Sequence, residues 1–197
     1  MNGATTVSLV GVGGQGILLG AAVLAETAMA EGLDVKASEV KGMAQRGGSV
    51  LSTVRFGRHV YSPVTRHADL VLATELLEGL RGLDLLATRG TLVCATTRIL
   101  PGSVLRGEEA YPEELAAAAA GRGVRLTLLD AEALASEAGS ARAVNIVLLG
   151  AASLVLPFAH DAWQRGLAAA VPASILDVNR RAFALGRDAG AGQEVTS

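Results

Sequence analysis

An α/β chain is what the sequence predicts: a Rossmann-like three-layer domain with a mostly parallel sheet, an inserted β-hairpin and a helical C-terminal part. Three observations predict it. Apolar runs of strand length alternate with helical patterns from Thr6 to Ala138. The stretch Gly11-Val12-Gly13-Gly14-Gln15-Gly16 follows the first apolar run and opens the first helix, the setting in which G-x-G-x-x-G carries meaning. From Ala141 onward the pattern is helical only.

The first strand reads as Thr6 to Val10 and the first helix as Gln15 to Glu31, stopped by Gly32. Val35 to Val40 follows as a second strand, which makes a βαβ unit with a parallel pair and a right-handed crossover. Gly42 to Gly48 is a polar, glycine-bearing loop. Ser49 to Phe56 and His59 to Ser62, separated by Gly57-Arg58, form the hairpin signal, and Pro63 ends it. Ala68 to Thr74 is a buried strand, Glu75 to Leu86 a helix, and Thr91 to Thr96 another strand. Thr97 to Tyr111 is the longest irregular connection, and Pro112 leads into an alanine-rich helix over Glu113 to Ala120. Arg125 to Leu129 is the last strand and Ala131 to Ala138 a short helix. Helices over Ala143 to Leu156, Asp161 to Ala170 and Ser174 to Leu185 complete one domain spanning 1–188, with 189–197 as a frayed tail.

The totals narrow the function. A chain of 197 residues holds one well-buried domain without disulfides or metal. It is 50% hydrophobic but only 3% aromatic, with mean hydropathy +0.40, so the core is built from Ala, Val and Leu. A net charge of −2 argues against a general nucleic-acid footprint. The apolar stretches from Ile17 to Ala30 and from Ala143 to Ala159 are too short and too interrupted to span a membrane. No secretory signal is evident, and the single Cys94 in an apolar run suits a reducing cytoplasm. One thiol also falls short of the ~4 that a cysteine-ligated iron–sulfur cluster needs.

Two stretches invite an anion. In the glycine turn, Gly11 permits a sharp bend, Gly13 and Gly14 let backbone approach a ligand, and Gly16 lets helix and strand pack closely. Arg46, beside Gly47, Gly48 and Ser49, can grip a phosphate or carboxylate with a planar donor fork and uncovered N–H groups. Each has a plain alternative: a tight βα turn without a ligand, and a loop that points Arg46 into solvent. Glu39 is the candidate ribose-binding carboxylate of a dinucleotide fold. Glu75 caps a helix at the ligand-binding edge of the sheet, and Asn145 either caps its helix or bonds a neighbouring loop. No nucleophile–base arrangement, P-loop lysine or paired metal ligands stand out.

The segments Gly11 to Gly16, Ser38 to Ser49, Val54 to Gly57 and Val60 to Pro63 closely resemble the gamma-type domain of the 2-oxoacid:ferredoxin oxidoreductases, in particular the small subunit of the indolepyruvate enzymes. The likeness continues through Ala68-Asp69, Glu75 to Glu78 with Arg81, Tyr111-Pro112, Asn145, Leu149-Gly150, Asn179, Ala182-Phe183 and Gly186. It implies an accessory subunit of a complex that oxidatively decarboxylates an aryl 2-oxoacid to acyl-CoA, carbon dioxide and reduced ferredoxin. Thiamine diphosphate with Mg and the [4Fe–4S] clusters would belong to a large partner subunit. Gly11, Gly13, Gly14, Gln15, Gly16, Arg46, Gly47, Gly48 and Ser49 are then the candidates for holding coenzyme A. Two other functions fit the residues alone: a stand-alone NAD(P)-dependent dehydrogenase, and an interaction module without a ligand.

Overall fold

A computed structural model describes residues 3–41, 48–112 and 114–192. In chain order the elements are β1 (Thr5–Val12), α1 (Ile17–Ala30), β2 (Asp34–Lys41), β3 (Ser49–Gly57), β4 (Ala68–Ala73), α2 (Leu76–Gly82) and β5 (Leu86–Ala95). They continue with α3 (Gly102–Leu105), α4 (Leu115–Gly121), β6 (Arg125–Leu129), α5 (Ala131–Ala138), α6 (Val144–Ala152), α7 (His160–Ala170) and α8 (Leu176–Ala191). Helix α8 thus runs past 188, and 193–197 lie outside the described residues. Among the described residues no helix is long and apolar enough to cross a membrane.

The six strands form one sheet in the order β2-β3-β1-β4-β5-β6. β1, β4, β5 and β6 pair in parallel, while β3 runs antiparallel to both β1 and β2. Two expectations are corrected here. The first two strands do not pair, because β3 lies between them. The hairpin partner of β3 is β2, with Asp34 opposite Gly57 and Lys41 opposite Val50, and residues 59–62 form no strand. The physical reason lies in 58–67. Arg55 Nη1 donates to the carbonyl of Ser62 at 2.8 Å, and Val60 N–H donates to Asp34 Oδ2 at 2.9 Å. Side chains therefore satisfy this backbone, and no ladder is needed.

The two faces of the sheet divide as the period-2 pattern requires. Val7, Leu9, Val54, Phe56, Leu70, Leu72, Val93 and Ala95 point into the larger core with α1, α5, α6, α7 and α8. All three phenylalanines and the lone tryptophan meet there, Phe56–Phe158 at 4.9 Å, Phe158–Trp163 at 5.6 Å and Trp163–Phe183 at 5.3 Å between ring centres. Val10, Val71, Ala73, Leu92 and Cys94 point the other way, into a smaller core under α2 and α4. The helix expected over Glu75 to Leu86 is shorter, because Leu86 already belongs to β5.

Candidate functional site

The chain leaves β1 toward α1 on one face of the sheet and leaves β4 toward α2 on the other. The crevice between the carboxyl ends of β1 and β4 is therefore the switch point, where open α/β sheets bind ligands. The glycine turn lies on its rim. Gly14 and Gly16 adopt the left-handed region, with φ of 101° and 74°.

Gln15 occupies the crevice itself. Its Oε1 accepts from Val12 N–H at 2.8 Å and from Thr74 Oγ1 at 2.6 Å, and its Nε2 donates to the Thr74 carbonyl at 3.3 Å. A Cβ at Gly11 would collide with Thr74 Oγ1, so the two strand ends are in tight contact. Gly13 N–H donates to the Gly48 carbonyl at 3.0 Å, which ties the turn to the start of β3. The structure therefore brings Gly13 and Gly48 together, a contact that the sequence reading of two separate stretches did not include. It also commits Gln15 and the Gly13 N–H to the protein itself. Arg46 and Gly47 lie outside the described residues.

Ser49 does not face the turn. Its hydroxyl donates to Glu78 Oε2 at 2.5 Å, and Arg81 Nη1 donates to Glu78 Oε1 at 2.6 Å. Glu75 is fully buried at the N-cap of α2, accepting from Glu78 N–H at 2.5 Å and from the Tyr111 hydroxyl at 2.8 Å. Burial and the bond to the Glu75 carboxylate hold the Tyr111 phenol protonated well above its ordinary range. The two glutamates are thus a satisfied buried pair beneath the rim.

Open space lies on the other side of the turn. A cavity of about 470 Å³ separates Gly14 and Gly16 from Ser140, Arg142 and Asn179, at the foot of α6 and the start of α8. A Cβ at Gly14 would meet nothing within 4 Å, so its backbone faces that space. Asn145 Nδ2 donates to the Gly16 carbonyl at 2.8 Å, resolving the alternatives for this residue in favour of the loop. Its Oδ1 is buried without a partner among the described residues. Sequence reading missed Ser140, Arg142 and Asn179 as neighbours of the turn. The one signal for them was Asn145, three residues beyond Arg142.

Cys94 is buried, and no group of three His, Cys, Asp or Glu side chains among the described residues could hold a metal ion. Glu39 also fails as a ribose ligand. It sits on β2 across from Ser52, and Ser52 sits across from Leu9, which places Glu39 two strands, about 10 Å, from β1.

Residues 6–189 match the pyruvate ferredoxin/flavodoxin oxidoreductase family. The indolepyruvate oxidoreductase subunit IorB of Thermococcus kodakarensis is 37% identical over 187 residues, covering 91% of this chain and 93% of the relative. That of Methanothermobacter thermautotrophicus is 36% identical over 186 residues, covering 92% and 95%. In fold, the chain is similar to the gamma subunit of a keto/oxoacid ferredoxin oxidoreductase from Geobacter sulfurreducens, with a TM-score of 0.73 and 23% identity over 96% of this chain and 99% of that one. It is also similar to part of a 2-oxoglutarate:ferredoxin oxidoreductase from Magnetococcus marinus solved with 2-oxoglutarate, coenzyme A and succinyl-CoA. That match has a TM-score of 0.75 and 21% identity, over 100% of this chain and 32% of the other.

Proposed function

Since the chain belongs to the pyruvate ferredoxin/flavodoxin oxidoreductase family, we propose that it is the accessory subunit of a thiamine-dependent 2-oxoacid:ferredoxin oxidoreductase whose substrate is indolepyruvate or a close arylpyruvate. The observation that carries this is end-to-end identity to IorB subunits, at 37% over 93% of the relative's length. The complex would cleave the carbon–carbon bond beside the oxoacid carbonyl, release carbon dioxide, pass two electrons to the iron–sulfur acceptor and join the acyl group to the coenzyme A thiol. The partner subunit holds the thiamine diphosphate and the clusters in this reading.

This chain's own part is to dock and to hold coenzyme A. The acyl-transfer step needs the thiol placed against the acyl group, which is positioning rather than acid–base work. The cavity beside Gly14 and Gly16 supports the reading: it offers room, uncovered backbone at the start of α1, and a cation at Arg142 for a phosphate. Gly48 borders the turn through its bond from Gly13 N–H, and Arg46 and Gly47 stay candidates for the phosphates on their residue types alone. Electron acceptor and cytoplasmic location follow the same reading.

The test is reconstitution with the catalytic subunit. Turnover of indolepyruvate requires both chains, and Arg142→Glu raises KM for coenzyme A about tenfold while kcat and KM for the oxoacid hold. An unchanged KM for coenzyme A removes this cavity from the site. Full turnover by either subunit alone removes the accessory role.

A further inference from the structure

Among the described residues, part of one sheet face has no helical cover. On that face α2 covers Val10 of β1, and the row it begins continues uncovered through Leu51 of β3 to Val40 of β2, with Thr53 and Ser38 in the row below. The helix that packs on β2 and β3 is α1, and it lies on the opposite face. The loop 58–67 leans over this area and leaves a hollow of about 180 Å³ lined by Val40, Leu51, Thr53, Val64 and His67.

The loop is pinned. Arg55 Nη1 holds the carbonyls of Ser62 and Val64, at 2.8 and 3.4 Å, and Asp34 holds Val60 N–H and His59 Nδ1, at 2.9 and 3.4 Å. Yet it displays apolar side chains to solvent: Tyr61 is 89% exposed and Val64 76%, and Val40 of β2, which lines the hollow with Val64, is 60% exposed. Tyr61 is braced edge-on by His59, with ring centres 4.3 Å apart. An apolar patch held on a preorganised loop is what a binding surface needs to keep its ordering cost low.

Charge selects the occupant. Residues 58–67 contain two arginines, two histidines and no acid, in a chain of net charge −2. Neither Arg58 nor Arg66 forms an ion pair among the described residues. A second copy of the chain would set this cationic rim against its like in any two-fold pairing. We propose that the uncovered end of the sheet, with Val40, Tyr61 and Val64 at its centre and Arg58 and Arg66 on its rim, docks the catalytic partner subunit on an apolar recess edged with carboxylates. This rests on the accessory-subunit reading.

The experiment is affinity measurement on the purified partner subunit, by sedimentation or surface plasmon resonance. Val64→Asp and Tyr61→Ala each weaken the complex at least tenfold. Arg58→Glu with Arg66→Glu slows association and reduces its salt dependence. Leu105→Asp, an equally exposed apolar site on α3, leaves the affinity unchanged, and circular dichroism shows every variant folded. A Val64→Asp, Arg66→Glu double variant that binds like the wild type overturns the surface. A double variant that instead abolishes self-association of the wild-type chain replaces the partner with a second copy and overturns the occupant. Failure of the wild type to bind any catalytic subunit overturns the accessory reading and the surface with it.

Discussion

At the scale of single residues, the glycine turn is shaped by what presses on it. Gly16 has φ 74° and a would-be Cβ 2.9 Å from Asn145 Nδ2, so an added methyl meets strained backbone and a buried amide together. Gly16→Ala should cost about 1–3 kcal/mol, read as a lower urea midpoint. Cys94 gives a second handle. Burial first, and the Glu75 charge second, push its thiol well above the ordinary 9.0. A raised acid stays protonated in the fold while the unfolded chain ionises, so stability is intact below pH 9 and falls above it. The loss should reach about 1.4 kcal/mol one unit above 9.0. Tyr111 adds a loss of the same sign only above its own ordinary 10.0, so Cys94→Ala removes the earlier part of the slope in a urea series from about pH 8 to 10.

At the scale of elements, helix contact is set by glycine. A Cβ at Gly186 of α8 would run into the Val147 carbonyl of α6, and one at Gly150 of α6 would run into the Phe183 carbonyl of α8. The two backbones therefore touch, and neither can yield as a side chain would. Gly186→Ala should destabilise by at least about 3 kcal/mol and expose Trp163, which packs against Phe183 of the same helix, with a red shift in its fluorescence. How far elements could be read from residues follows a similar logic. Most strands and helices were legible because Val, Leu and Ala recur with period 2 or 3.6, as in Ala131–Ala138 and Arg125–Leu129, both correctly bounded. The pairing of β3 was not legible. Gly57-Arg58 carries a stronger turn signature than 42–48, and nothing local shows that Arg55 and Asp34 spend their polar atoms on 58–67. The site was legible in the same measure. The turn announces itself through glycine spacing, while Ser140, Arg142 and Asn179 arrive from segments more than a hundred residues away.

At the scale of the whole molecule, strand order decides between the two enzymatic functions that the glycine turn first allowed. A dinucleotide fold needs the acid-bearing second strand beside the first, so that one cofactor spans the pyrophosphate-binding turn and the ribose-binding carboxylate. Here β3 separates them, Glu39 sits two strand spacings from β1 instead of one, and Gln15 fills the crevice that a pyrophosphate would enter. Isolated chain titrated with NADH should therefore give no enhancement of nicotinamide fluorescence, at a protein concentration where a dehydrogenase would saturate. The same reasoning extends to electrons. With a single thiol sealed under α2 and α4, the chain cannot ligate a cluster, so the purified subunit should be colourless and inert toward indolepyruvate with an artificial acceptor. Replacing Cys94 by Ala should leave the iron content of the reconstituted complex unchanged. Iron lost with Cys94→Ala, or nicotinamide fluorescence enhanced by the wild-type chain, would return redox chemistry to this polypeptide.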